Sequence, residues 1–225
     1  MRQLLRFCVL GICAMLAPSA FADIVIGHVL PLSGADAATG KALRVGAKAY
    51  IDQVNAMGGV AGQKIVYVVS DDASQPAQTV IRARELIIKD NIFALLAGAN
   101  PTNLHALAQS GVLRKYRVPM VSSRDGSDNP DALARARQVG LVELAPPQIY
   151  TPALLEEFKD ALAKYGTPGE QPTSTALQGY ISAKVMLGAL RLLGDEPVRS
   201  EFYFLMQHMV PDLSNHLMRR GYSPA

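Results

Sequence analysis

Three stretches of this chain place hydroxyl-bearing and glycine residues where backbone N–H groups can meet a small ligand. The first is Pro31-Leu32-Ser33-Gly34, continuing to Thr39-Gly40. Ser33 and Thr39 are short hydroxyl donors, and the glycines permit tight turns. The same residues also read as a plain turn followed by a helix N-cap. The second is Gly98-Ala99-Asn100-Pro101-Thr102-Asn103. Its small residues let backbone approach a ligand, and Thr102 can donate from a first helical turn. Capping by Asn100 accounts for the pattern equally well. The third is Ser122-Ser123-Arg124-Asp125-Gly126-Ser127, which offers hydroxyls and amides to a zwitterion or forms a solvated loop. The candidate ligand contacts are therefore Ser33, Thr39, Asn100, Thr102, Ser123, Asp125 and Gly126. Asp71 and Asp72 are adjacent carboxylates that suit a metal or an ammonium group, or simply a solvated loop leading into a helix.

Signals for catalysis are thin. His28, His105, His208 and His216 are scattered, and none has metal-ligand spacing with another His, Asp or Glu. The chain has no G-x-S-x-G elbow, no G-x-G-x-x-G fingerprint and no P-loop. His28 lies inside a strand-like run and reads as a packed histidine. A doubly wound hydrolase needs a nucleophile with a nearby histidine at a strand end, and no such pair stands out. Trp is absent, which leaves no obvious platform for stacking a sugar. The expectation is a binding protein, not an enzyme, with no metal and no cofactor.

The elements that must position these loops alternate regularly. Ile24 to Leu30 is an apolar strand candidate. Residues 41–57 carry Leu43, Ala47, Tyr50, Val54 and Met57 at helical spacing, with Lys41, Arg44, Lys48 and Asp52 on the other face, and Gly58-Gly59 stops the helix. Lys64 to Ser70 is a second strand. Residues 75–89 make a second helix, with Ser74 as N-cap and Pro76 in the first turn. Ile92 to Ala97 is a third strand, Pro101 to Lys115 a third helix capped by Asn100, and Pro119 to Ser122 a fourth strand. This order predicts an α/β fold, a parallel doubly wound sheet with helices on both faces. Its strands are near-continuous apolar runs, as a sheet covered on both sides requires. Farther on, Gln138 to Leu144 suits a short strand and 152–164 a helix. Residues 176–193 suit a strongly apolar, packed helix, and the tail at 198–221 has helical propensity.

The start of the chain reads as an address. Arg2 and Arg6 precede an apolar run from Phe7 to Ala17, followed by the small-x-small signal Ala20-Phe21-Ala22. The run is shorter than the roughly 20 residues a membrane span needs. Residues 1–22 are expected to be a cleaved secretory signal, with the mature chain starting at Asp23 in the periplasm. A lipoprotein signal fits less well, because Ile12 precedes Cys13 where a small residue belongs. Cys8 and Cys13 both lie in this leader, so the mature chain has neither disulfide nor thiol chemistry. Removing Arg2 and Arg6 takes the formal charge from +3 to +1, which gives no electrostatic case for nucleic acid.

Several of these runs resemble the leucine/isoleucine/valine-type periplasmic binding proteins of ABC transporters. They include Ile24-Val25-Ile26-Gly27-His28-Val29-Leu30-Pro31-Leu32-Ser33-Gly34 and Val54-Asn55-Ala56-Met57-Gly58-Gly59-Val60-Ala61-Gly62. Val118-Pro119-Met120-Val121 and Gln178-Gly179-Tyr180-Ile181-Ser182-Ala183-Lys184 also match. The resemblance implies two α/β lobes with an amino acid between them and an ABC permease in the inner membrane as partner. It implies that Ser33, Thr39, Asn100, Thr102 and the 123–126 stretch face the cleft from the first lobe. It also exposes a departure. Near residue 127 the chain passes almost directly to the late part of the family pattern, near 138, omitting what builds most of the second lobe. The expected organisation is a signal at 1–22, a first-lobe core at 23–127 and a shortened junction at 128–150. A helical segment at 151–225 follows, part of which completes the first lobe. The implied function is solute binding for amino-acid uptake, weakened by the lost lobe. The alternative is an exported one-lobe sensing or scaffold protein, with a partner in place of the missing lobe.

Overall fold

The computed structural model describes residues 22–97, 100–123, 141–144 and 151–208; for Ser123 and 141–144 it describes the backbone. The elements are β1 (Ile24–Leu30), α1 (Ala37–Ala56), β2 (Ile65–Asp71), α2 (Pro76–Lys89), β3 (Ala94–Ala97), α3 (Pro101–Gln109) and α4 (Val112–Tyr116). They continue with β4 (Met120–Ser123), β5 (Leu141–Leu144), α5 (Pro152–Tyr165) and α6 (Ser174–Leu192). Residues 199–208 are helical as well. The five strands form one sheet in the order β2-β1-β3-β4-β5, and every neighbouring pair is parallel. The parallel doubly wound sheet expected from the strand–helix alternation is present.

Strand side chains alternate between two cores, which explains the unbroken apolar runs. Ile24 and Ile26 of β1, Ala94 and Leu96 of β3 and Val121 of β4 pack on one face, against α1, α5, α6, Phe202 and Met206. Val29, Leu95, Ala97 and Met120 pack on the other, against Ala83, Leu86 and Ile87 of α2, Leu107 of α3 and Leu113 of α4. A strand covered on both faces has no position that must be polar. His28 lies in β1 at 2% exposure, with Nδ1 at 2.6 Å from the Tyr67 hydroxyl, so it is a packed histidine.

The deepest inter-element contact joins α1 to α6. A methyl group on Gly46 would stand 1.7 Å from the Ala176 carbonyl oxygen, and one on Gly179 would stand 2.1 Å from that of Leu43. Only hydrogen fits between the two backbones at both points. Tyr50 and Tyr180 meet edge to face beside this crossing, at 5.0 Å between ring centroids. α6 is buried nearly all round, as a helix apolar on every side must be. It also buries Lys184, whose ammonium meets Glu157 of α5 at 2.5 and 2.6 Å. Burial pulls that ammonium below its ordinary range against the opposing pull of Glu157. The Glu157 carboxylate also accepts the Tyr180 hydroxyl at 2.8 Å, which ties α5 to α6.

Two local expectations are corrected. The helix expected over 101–115 is broken into α3 and α4 at Gly111, whose φ of 71° lies in the left-handed region. Ser74 does not cap α2. The N-cap is Gln75, without a side-chain bond, while Ser74 itself has a φ of 60°. Its hydroxyl donates to the Ser33 carbonyl at 3.1 Å and accepts from the Asp36 amide at 3.0 Å. Of the strand expected over Gln138 to Leu144, Leu141–Leu144 is β5, and residues 138–140 lie outside the described residues. For the tail, 199–208 is helical as expected, and the rest of it lies outside the described residues.

Two measurements check this account. Gly46→Ala and Gly179→Ala should each lower the unfolding free energy by about 1–3 kcal/mol or more, because backbone cannot yield as a side-chain tip can. Urea midpoints equal to the parent's would refute the close crossing. The second concerns His28, whose pKa burial pushes down from 6.5 to about 3, against a smaller opposing bond with the Ala97 backbone. Between those two values the unfolded chain binds a proton that the folded chain does not. Stability from the neutral ring is therefore complete above pH 6.5 and drains as pH falls toward 3. From pH 6 to 4.5 the parent should lose up to about 1.4 kcal/mol per pH unit more than His28→Gln. Parallel pH profiles for the two proteins would contradict the burial.

Candidate ligand-binding site

All five strands are parallel, so their carboxyl ends share one edge, where ligands sit in open α/β sheets. The loops leaving β1 and β2 are bound to each other there by Asp71. Its Oδ1 accepts the Leu32 and Ser33 amides at 2.8 and 3.2 Å and the Ala73 amide at 2.8 Å; its Oδ2 accepts the Ser33 hydroxyl at 2.6 Å. Burial works against the charged carboxyl, but the Ser33 hydroxyl and the three amides outweigh it and hold Asp71 below the usual range.

Asp72 fastens elements together in a similar way one layer deeper. It is 1% exposed, its Oδ1 accepts the Ser74 amide at 3.0 Å, and its Oδ2 accepts the Thr79 hydroxyl at 2.8 Å and the Asn103 side-chain amide at 2.9 Å. It thus joins β2, α2 and α3. The two aspartates are neither a solvated pair nor a free metal ligand set. Each carboxylate is already surrounded by donors of the chain itself.

The third link crosses from the β1 loop to α3. Asn100 caps α3 by accepting the Thr102 and Asn103 amides at 2.9 and 3.3 Å on Oδ1, while its Nδ2 donates to Asp36 at 2.6 Å. Asp36 occupies the N-cap of α1 but makes no side-chain bond to that helix. Asp is among the strongest N-capping residues, so its diversion toward Asn100 has a consequence. The amides of Ala38 and Thr39, in the first turn of α1, keep no capping partner among the described residues. Free amides at a helix start, with the positive end of its dipole, suit a carboxylate.

The seven expected contact residues fall into three groups. Ser33 and Asn100 stand on the rim, but their polar atoms chiefly hold the rim together. Thr39 and Thr102 also stand there, Thr102 exposed and Thr39 half-buried. Ser123 is the last residue of β4, at the same edge, and Asp125 and Gly126 lie outside the described residues. Sequence reasoning missed Asp36 and Asn103 and misread the partners of Asp71 and Asp72. The available signal was weak: an Asp two residues after Gly34 and just before a helix.

A larger cavity, of about 1030 Å³, lies at the opposite edge, where the strands begin. Asp23, Phe93, Arg117, Pro119, Glu196 and Tyr203 are among its lining residues. It faces strand starts and helix ends, away from the edge at which the cross-linked loops gather, and is not the candidate site.

Comparison with known proteins agrees with this fold. The Leu/Ile/Val-binding protein BraC3 of Rhizobium johnstonii is 37% identical over 100 residues, 43% of this chain and 27% of that protein. The Leu/Ile/Val-binding protein homolog 3 of Brucella melitensis is 37% identical over 119 residues, 53% of this chain and 31% of its own length. The chain thus matches less than a third of the length of these curated relatives. Among solved structures, a substrate-binding periplasmic protein from Ralstonia solanacearum superposes with a TM-score of 0.68 at 20% identity, covering 85% of this chain and 94% of that one. The branched-chain amino acid transporter substrate binding protein LivJ from Streptococcus pneumoniae, solved with isoleucine, gives 0.63 at 15% identity, covering 82% and 87%. At such identities the likeness is one of fold. The model of one family, described as periplasmic binding protein, matches residues 23–135, a stretch that contains β1 to β4 and the loops leaving β1, β2 and β3. The chain belongs to the periplasmic binding protein family.

Proposed function

We propose that this chain is the solute-binding component of an ABC-type amino-acid uptake system, exported to the periplasm by its N-terminal signal. Its rim holds the zwitterionic end of a branched-chain or related small amino acid and hands it to a permease in the inner membrane. The observation that carries this reading is the diversion of Asp36 to Asn100. It leaves the amides of Ala38 and Thr39 without a partner among the described residues, beside a braced loop cluster and the Thr39 hydroxyl. That is the donor set an amino-acid carboxylate needs. Thr102 and Ser123, at the neighbouring strand ends, are further contacts in this reading, together with Asp125 and Gly126, which lie outside the described residues. Relatives 37% identical over 100 and 119 residues of this chain are named for binding leucine, isoleucine and valine.

The affinity follows from the architecture. Binding proteins of this kind bury a ligand between two closing surfaces. The described residues supply one sheet and its helices. A single surface leaves half of the ligand in water, so the reading includes weak binding.

Calorimetry on the protein from residue 23 onward, with leucine, isoleucine, valine and polar amides, tests both parts. The expected result is dissociation constants of roughly millimolar or weaker, tightest for the branched side chains. Micromolar binding by a monomer would remove the one-surface argument. No heat with any of them near its solubility limit would remove the binding reading itself. A second prediction concerns the brace. Asp71→Asn keeps the size but loses the charged acceptor, and should cost about 1–3 kcal/mol of stability at neutral pH. Because folding lowers the Asp71 pKa, the parent's advantage is present at neutral pH and shrinks as the carboxyl protonates in acid. Urea titrations of both proteins at neutral and acid pH check it, and an equal gap at the two would contradict the charged brace.

A further inference from the structure

Beneath the rim, between the β2 end, α2 and α3, lies a void of about 10 Å³ lined by Asp72, Thr79, Asn100, Asn103 and apolar neighbours. That is close to the smallest space that holds one water molecule. One polar atom there is unaccounted for. Asn103 is 4% exposed, and its Oδ1 is buried without a hydrogen-bond partner among the described residues.

The amide cannot repair this by turning over. Its Nδ2 donates to Asp72 Oδ2 at 2.9 Å, and a turned amide would set two acceptors against each other inside the protein. Among the described residues no donor reaches Asn103 Oδ1. The Thr79 hydroxyl donates to Asp72 at 2.8 Å, and the Asn100 side-chain amide donates to Asp36 at 2.6 Å. A buried acceptor left bare costs about 1–3 kcal/mol, so one that persists in a native fold is met by a donor. The missing group must therefore be a hydrogen-bond donor, no larger than a water and able to sit among several oxygens.

We infer that a single internal water occupies this void, donating to Asn103 Oδ1 and joining the Asp72–Thr79–Asn103 network as a structural part of the rim. The neutral ligand fits better than a cation. Asp72 already receives three donors, from Ser74, Thr79 and Asn103, so its charge is met without a counter-ion.

A crystal structure at a resolution that shows ordered solvent tests this directly. One spherical density peak is expected, roughly 2.7–3.2 Å from Asn103 Oδ1. In solution, the unmodified protein should show a water-to-amide Overhauser effect from a long-lived water to the Asn103 side-chain protons, which needs no variant. Asn103→Leu fills the void and should abolish the peak. An empty void in a well-ordered map would overturn the inference, as would an amide refined the other way with a direct protein donor. A peak with short, many-fold oxygen contacts that strengthens with added sodium would also overturn it, in favour of a cation.

Discussion

The fold depends on one steric fact: two glycines allow helices far apart in the chain to touch backbone to backbone. Gly46 and Gly179 bring α1 and α6 so close that a single added methyl group has nowhere to go. The contact lies over one face of the sheet, where Ile24, Ile26, Leu96 and Val121 share their core with both helices. Residues that follow the weakly patterned middle of the chain thereby return to the lobe with which the chain begins. The family match reaches only to residue 135, yet the core of the matched part is closed by residues beyond it.

The rim depends in turn on carboxylates whose oxygens accept bonds from the chain itself. Asp71 and Asp72 end β2 in succession and serve different layers, one fastening the β1 loop and the other fastening α2 and α3. Asp36 adds the third tie through Asn100. A loop edge braced in this way holds helix starts at fixed places, which is what recognition of a small charged end group requires. The brace also explains why the polar atoms of Ser33 and Asn100 are largely spent.

Most of the architecture could be read from the residues, for reasons the structure makes plain. The strands were recognisable because both of their faces are covered, so from Ile24 to Leu30 only His28 breaks the apolar run. α1 could be read from its spacing and its Gly58-Gly59 stop, and α6 from its apolar content. What failed was long-range. Ser74 has the look of a cap but bonds Ser33 and Asp36, about forty positions away, and nothing local to its sequence announces that. The break at Gly111 was hidden because apolar spacing continues across it into Val112 and Leu113. Lys184 is a charge buried in an apolar helix, and its reason, Glu157, lies on another element. For the site, the hydroxyls and glycines were visible as types. Which of them brace the loops and which remain free depends on contacts across the sheet, which spacing does not encode.

The α1–α6 crossing also sets an order of events. A chain leaving the ribosome or a translocation channel delivers β1 to β4 first, with one face of the sheet bare. That face cannot be closed until residue 179 has emerged. Contacts between segments this distant carry a loop-closure penalty and form late, so folding of the lobe is expected to be slow. Until then the exposed apolar face is the place where a holding chaperone would bind, and where neighbouring chains would aggregate in its absence.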